Sequence, residues 1–582
     1  MARWLCVVLL LALANASTWS ADERRTPLEP PKPKPTDPTA VPVPDQTPPK
    51  KEGETAPPDE NKKLISVPLK GLRLISKADE VVKQADFSGL EIVNIPLIDT
   101  PDFRAKFDKI LGGDLTMKAI REISQIIILK FRELDHPFVN ISVPEQDITK
   151  GCLQLMIVEG TVGKISVENN KWWRTKQYLQ NLRLKSGDYI SEKRLIQDID
   201  YINQNSFRSV KPVFKKGDQP GTTDLTLQAE ERFPVRVYTG YEDSGLRVTG
   251  YDRLFYGFNW NNAFMHDHEI GYQFTTDLHF SKYWDHSGYW RIPLPNRDKL
   301  AFNFSWSEVK AEINSDFETR SFDQNYGMRY IKSLPRIGNF MQELQAGLDF
   351  KESRNILRFG PTELFDHKFH IAQFAVQYAG QEQDKTGLLS FSMRGIYSPG
   401  HMVDHQELDD FRASRAGTDN KYHYGQISIE RDWYLPKEIT LVTKATAQLS
   451  SARLLSTEQI QFGGYASVRG YDDRIVAADQ GVQFTAELRS PNWLLGKIAK
   501  KNEFESRFQL LTFFDYATAN NQANFPGERK HTELRSVGAG ARFKIGSHLS
   551  IRVDYGFQLK ELKDDADNED NSRIHLGVTG SF

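Results

Sequence analysis

At 582 residues with 39% apolar side chains, the chain is long enough to bury several cores, and a formal net charge of -2 without a basic block leaves no footprint for nucleic acid. Aromatic residues make up 11% and concentrate after residue 230. The two cysteines are Cys6 and Cys152, and once the first is removed with a leader no internal disulfide is possible.

The N-terminus, MARWLCVVLLLALANA, combines one positive charge at Arg3, a short apolar run and small residues at Ala14 and Ala16. It reads as a secretory signal peptide, residues 1–16, too short to span a bilayer and cleaved after Ala16. No later apolar run approaches the roughly 20 residues of a membrane helix, a criterion that is blind to β-barrels. Residues 17–63 are proline-rich with few large apolar side chains, the composition of an extended, disordered linker.

Between 64 and 232 the pattern is α+β and occurs twice, as modules over 64–160 and 161–232. In the first, GLEIVNIPLI (89–98) reads as a strand. Thr116 then caps a helix carrying Ile120, Ile123, Ile127 and Phe131 on one face, and PFVNISV (137–143) and LQLMIVEG (153–160) follow as strands. In the second, KISVEN (164–169), a short helix around Lys176, and a helix capped by Ser191 with Leu195, Ile199 and Ile202 on one face lead to the strands VKPVFKKG (210–217) and DLTLQAEE (224–231).

From 233 to 582 the helical period gives way to about sixteen segments of roughly 10 residues with alternating polarity, the length and even number of a transmembrane β-barrel. Leu549, Ile551, Val553, Tyr555, Phe557 and Leu559 alternate with Arg552, Asp554 and Gln558. A soluble sandwich would alternate too, but the aromatics at segment ends favour lipid. The chain stops on Ile574, Leu576, Val578 and Phe582 in alternation, a C-terminal strand that looks like the signal read by outer-membrane assembly machinery.

The order of leader, proline-rich linker, two α+β modules and barrel resembles the outer-membrane transporters of two-partner secretion, the ShlB/FhaC/HecB haemolysin secretion/activation (TpsB) family. Four stretches carry the resemblance: HPFVNISVPEQDITKGCLQLMIVEGTVGKI (136–165), PGTTDLTLQAEERFPVRVYTGYEDSG (220–245), FGGYASVRGYDD (462–473) and FFDYA (513–517). It implies a 16-stranded barrel in the bacterial outer membrane behind two periplasmic POTRA domains, with a loop over 454–480, between the eleventh and twelfth strands, folded back into the lumen.

In such a lumen Val468, Arg469, Gly470 and Tyr471 form the loop tip, and an arginine there needs a counter-charge. Phe513, Asp515 and Ala517 share one side of the thirteenth segment. The resemblance makes Asp515 the partner, its carboxylate receiving the planar guanidinium fork. Relatives carry Phe-x-Asp-x-Gly here, so the methyl of Ala517 is expected to crowd and loosen the contact. Without the resemblance, Arg469 is an exposed loop cation and Asp515 an ordinary inward acid.

The implied activity is export of an unfolded secreted partner without ATP, since no P-loop is present. The partner would add a strand to a POTRA sheet edge: Phe138, Val139, Ile141 and Val143 in the first module, Val213 and Phe214 in the second. A barrel-assembly insertase of the wider superfamily is the alternative; a porin would not need the modules. No enzyme motif or cofactor site is read. His266, Asp267 and His268 in AFMHDHE sit in a short turn without a spaced partner, so no metal site is expected. The expected partners are the passenger, outer-membrane lipid and the barrel-assembly machinery.

Overall fold

The computed structural model describes residues 63–312, 317–497, 505–522, 525, 528–562 and 571–582. The expected leader and nearly all of the proline-rich stretch lie outside these. The chain divides into two compact units, one ending at Arg232 and the other built from Phe233–Phe582.

The first unit holds two α+β modules. In the first, β1 (Gly71–Ile75), β2 (Gly89–Ile92), β3 (Val139–Ser142) and β4 (Cys152–Glu159) form a sheet in the order β2-β1-β4-β3. The helices are α1 (Pro101–Ala105) and α2 (Met117–Glu133). Thr116 caps α2, its hydroxyl accepting the Ala119 N–H at 3.1 Å, and Ile123, Ile127 and Phe131 bury the stripe that the four-residue spacing lays against Leu72, Leu74 and Leu155. The strand expected over 89–98 ends at Ile92. Asn94 turns the backbone to φ 57° and Pro96 removes a donor, so Ile95 and Ile98 reach the core from a turn.

The second module comprises β5 (Thr161–Glu168), α3 (Thr175–Leu179), α4 (Glu192–Asn203), β6 (Arg208–Lys216) and β7 (Thr222–Glu231), with the sheet order β5-β7-β6. The Ser191 hydroxyl accepts the Arg194 N–H at 3.1 Å, and Leu195, Ile199 and Ile202 are buried. The two modules share packing: the Phe138 and Phe214 ring centroids lie 4.6 Å apart, and the Lys193 N–H donates to the Asp135 carboxylate at 2.9 Å.

The second unit is a closed antiparallel barrel of sixteen strands. The first strand (Val235–Glu242) meets the sixteenth (Ser572–Ser581), with Tyr238 opposite Ser581 and Glu242 opposite Gly577. The twelfth strand (Gln480–Arg489) breaks and resumes as Trp493–Lys497, both pieces pairing with the thirteenth (Glu505–Asn520). Three neighbours are long: the sixth (Phe317–Ile337), seventh (Phe340–Phe359) and eighth (Thr362–Asp384) have 21, 20 and 23 residues. The ninth (Gly387–Ser398) has 12 and pairs with the eighth only from Phe374 onward.

Polarity is inverted relative to a water-soluble fold. Phe258, Trp290, Phe304, Met393, Ile429 and Tyr555 are exposed on the outer wall, while Asn259, Gln273, Ser305, Gln373, Asp515 and Asp554 are buried on the inner one. Alternation at period two delivers both faces, and an apolar exterior around a polar interior is the arrangement that hydrocarbon stabilises. Among the described residues no helix is long and apolar enough to cross a membrane; the strands do so.

Candidate functional site: an arginine clasp inside the barrel

The chain between the eleventh strand (Thr440–Ser450) and the twelfth does not stay outside the barrel. It turns inward as a small hairpin, Ile460–Phe462 pairing with Val476–Ala478, and carries residues 463–475 at its tip. Gly463, Gly464 and Gly470 take positive φ values of 109°, 81° and 92°, which let so short a hairpin reverse.

Arg469 is 1% exposed and surrounded by inward-facing carboxylates from three strands. Its Nε and Nη2 donate to the two oxygens of Asp515 at 2.8 and 3.0 Å, the two-pronged fit that only a guanidinium can make. Its backbone N–H donates to the same carboxylate at 3.1 Å. Its Nη1 donates to Glu487 Oε2 at 2.6 Å and lies 3.6 Å from Asp554 Oδ1. The guanidinium carbon sits 3.4 Å from the centre of the Phe513 ring, so a cation–π contact covers the face that the carboxylates leave open.

Arg489 and Arg542 balance the remaining charge, with Arg489 Nε donating to Glu487 Oε1 at 2.6 Å and Arg542 Nη2 3.0 Å from Asp554 Oδ2. Charges taken from water are expensive, so this matching of guanidinium to carboxylate is what makes the burial tolerable.

Gly470 and Tyr471 complete the fit. The Gly470 N–H donates to His575 Nε2 at 3.2 Å, and its carbonyl accepts Gln558 Nε2 at 2.7 Å. The Tyr471 ring is fully buried. Its hydroxyl lies 2.5 Å from the Lys560 carbonyl and accepts the Arg535 N–H at 3.1 Å. Val468 packs with Phe462, Ala517 and Leu534. Asp472 pairs with Arg573 and accepts the Tyr251 hydroxyl at 3.1 Å, extending the contact to the strands at the closing seam.

Two expectations need correction. The Ala517 methyl does not loosen the clasp: it is buried beside Val468 and Tyr471, and Arg469 still reaches Asp515 at 2.8 Å. The close approach is made elsewhere, at Gly556 on the fifteenth strand (Leu549–Gln558). Phe138 and Phe214 are not both free to receive another chain, because Phe138 is buried in the core of the second module and their rings pack together. The strands they flank, β3 and β6, are nonetheless the outermost of their sheets. Along them Val139 is buried, Ile141 and Val213 are half-buried and Val143 is exposed.

Glu487, Asp554, Gly556 and His575 carry no mark in the sequence, since inward polar residues occur on every strand. At the C-terminus, Ile574 is exposed and Leu576 and Val578 are half-buried on the outer wall, while Phe582 exchanges backbone hydrogen bonds with Val237 at 3.0 and 2.8 Å. In the turn after the second barrel strand (Arg253–Ala263) the rings of His266 and His268 lie 6.2 Å apart and His268 accepts the Trp290 indole N–H at 3.2 Å. Among the described residues no three His, Cys, Asp or Glu side chains are grouped to hold a metal.

Comparison with known proteins places this architecture. The profile of the haemolysin secretion/activation protein ShlB/FhaC/HecB family matches residues 221–543. The chain is 20% identical to the heme/hemopexin transporter protein HuxB of Haemophilus influenzae (strain 86-028NP), over 81% of this chain and 82% of that one. It is 22% identical to the outer membrane transporter CdiB of Dickeya dadantii (strain 3937), over 60% and 62%. In fold it resembles CdiB from Escherichia coli, with a TM-score of 0.70 at 18% identity over 94% of this chain and 95% of that one. CdiB from Acinetobacter baumannii gives a TM-score of 0.58 at 17% identity over 89% and 90%. With a profile match over more than half its length and the barrel, inserted loop and paired modules in place, this chain belongs to the ShlB/FhaC/HecB haemolysin secretion/activation family, outer-membrane transporters of two-partner secretion.

Proposed function

We propose that this transporter takes an unfolded secreted partner at the outermost strands of its POTRA sheets and passes it through the barrel without nucleotide, with the Arg469 clasp holding the lumenal hairpin to the wall. The observation that carries this reading is the conjunction of a closed, lipid-compatible barrel with a buried, charge-balanced hairpin inside it. Such a hairpin is costly to bury, and its charges are matched group for group.

The edges of β3 and β6 support the entry step. Among the described residues neither has a strand paired along its outer side, so an extended chain can add there whatever its side chains. Phe138 and Phe214 are assigned to hold the modules together, leaving Val139–Val143 and Val213 as the pairing segments. In this reading the C-terminal strand is the segment read by the assembly machinery, and the outer apolar wall contacts lipid. No cofactor takes part.

The test uses photo-crosslinkers placed at Ser142 and Lys211 in the full chain, with a secreted protein encoded beside it as passenger. Crosslinks to that protein during export, and their loss when its N-terminal secretion domain is deleted, are the expected result. Export proceeding without contact at either strand overturns the entry step. A general defect in other outer-membrane proteins on deletion of this chain would instead indicate an insertase.

A further inference from the structure

The hairpin is fastened at a second place, far along the sequence from Arg469. Arg415 lies in the loop between the ninth and tenth strands (Gly387–Ser398 and Tyr422–Tyr434) and is almost wholly buried. Its Nη1 donates to Asp479 Oδ1 at 2.6 Å and also bonds the Leu454 carbonyl; both acceptors are at the base of the hairpin. Its Nη2 donates to Asn521 Oδ1 at 3.0 Å and its Nε to Glu528 Oε1 at 3.2 Å, both beyond the thirteenth strand.

Arg453 joins the same knot, bonding Glu528 and donating through Nε to the Ala416 carbonyl at 2.7 Å. Asp479 also accepts the N–H groups of Leu454 and Gln522, each at 3.0 Å. Every one of these residues lies in a connection that follows an odd-numbered strand, hence on the extracellular side. A helix in the first of those connections, Leu408–Ser414, packs Phe411 against Phe369, Tyr422 and Leu454, so the knot rests on a closed apolar floor.

We infer that Arg415, Asp479, Arg453 and Glu528 form the outer gate of the pore: they tie three successive extracellular connections together at the barrel mouth, and opening for export breaks this knot. The inner clasp and the outer knot differ in the kind of element they join. Arg469 is bound to side chains projecting from strands of the closed wall, which cannot part without opening the barrel. Arg415 is bound to loops, which separate at the cost of their mutual bonds and of the Phe411–Leu454 packing, with the barrel wall intact. Buried and mutually paired, these groups form a two-state contact, since removing one partner leaves the others desolvated and unsatisfied. The inference rests on the export reading for what passes through the gate, but its electrical test needs no passenger.

The full chain is reconstituted in planar bilayers as wild type, Arg415→Gln, Asp479→Asn, and Ala416→Cys/Ala452→Cys, which places thiols on two of the tied connections. The native Cys152 is buried and serves as background. A band that shifts mobility on boiling verifies the barrel in each variant. Arg415→Gln and Asp479→Asn are each expected to move the closed-to-open equilibrium by roughly tenfold or more toward open, the scale of one lost charge-assisted hydrogen bond.

The cysteine pair, joined by a short bis-maleimide, is expected to stay closed electrically and to stop export in cells until a cleavable version of the linker is cut. Substituted channels as quiet as the wild type, or a linked pair that conducts and exports, overturn the gate. If instead the wild type exports no neighbouring secreted protein while the electrical results hold, the export reading fails and the gate stands.

Discussion

Gly470 at the hairpin tip and Gly556 on the fifteenth strand touch backbone to backbone. A Cβ built on Gly556 would lie 2.4 Å from the Gly470 nitrogen, and one on Gly470 would lie 2.9 Å from the Gly556 carbonyl oxygen. Neither neighbour is a flexible side chain that can swing away. Gly556→Ala is therefore expected to push the tip off the wall while the strand register survives, since the fifteenth strand keeps partners on both sides. Export should fall at least about tenfold, the measure of a lost contact of 1.4 kcal/mol or more, with unchanged heat-dependent gel mobility. Wild-type export in this variant would show that the glycine contact has no role.

Arg469→Lys is expected to behave like Arg469→Ala. An ammonium is a point charge that cannot make the two parallel bonds to Asp515 while also spanning to Glu487 and Asp554, as the guanidinium does. Removing the fork leaves the buried Asp515 carboxylate without its guanidinium, a cost of about 3–5 kcal/mol. The hairpin should become accessible to external protease in intact cells, a change that Western blotting against the cleaved fragment reads directly.

Asp515→Asn and Glu487→Gln should differ in severity. Asp515 receives three hydrogen bonds from Arg469, including its backbone N–H, and Glu487 receives one and keeps Arg489. Export loss is expected in the order Asp515→Asn, then Glu487→Gln, with the double variant no worse than the first alone. A double-mutant cycle gives this comparison without a value for either bond.

The barrel was legible because period two is a strong signal: Val553, Tyr555 and Phe557 alternate with Asp554 and Gln558 in the sequence as they do across the wall. Arg469 and Asp515 were paired through a motif resemblance and could not have been paired from spacing, because strand order and shear decide which of many inward acids meet a loop. Glu487 and Asp554 are chemically indistinguishable from Asp285 or Asp323 when read along the chain.

The strand Gly71–Ile75 went unread because it is buried and only five residues long, with no alternation to mark it. The expectation for Ala517 failed for a related reason: a missing glycine on one strand says nothing about the room a glycine provides on another.

Phe138→Ala tests whether the two α+β modules move together. Phe138 is buried in the core of the second module although it belongs to the first, so truncation removes a shared contact. A loss of about 3 kcal/mol is expected at a buried phenylalanine. The unit ending at Arg232 is expected to melt in two steps by calorimetry in this variant and in one step in the parent. A single transition, merely shifted, would mean that the modules stay coupled through the Asp135 bonds at the start of α4.

The sixth, seventh and eighth strands outrun both flanks: the sixth runs past Ile331, where the fifth begins, and at the opposite end the eighth runs past the ninth. At about 3.3 Å per residue, 20 residues reach roughly 66 Å along the strand, more than a tilted crossing of the hydrocarbon requires. Because the ninth strand stops opposite Phe374, the twelve-residue stretch from Thr362 to Gln373 stands above it. The surplus is raised on one arc of the rim, and the connection after the ninth strand leans on it, the His370 N–H donating to the His405 carbonyl at 2.9 Å and Gln406 Nε2 to the Ala372 carbonyl at 3.0 Å. The overhang is thus a backrest: it sets where that connection, and the Leu408–Ser414 helix within it, stands on the rim.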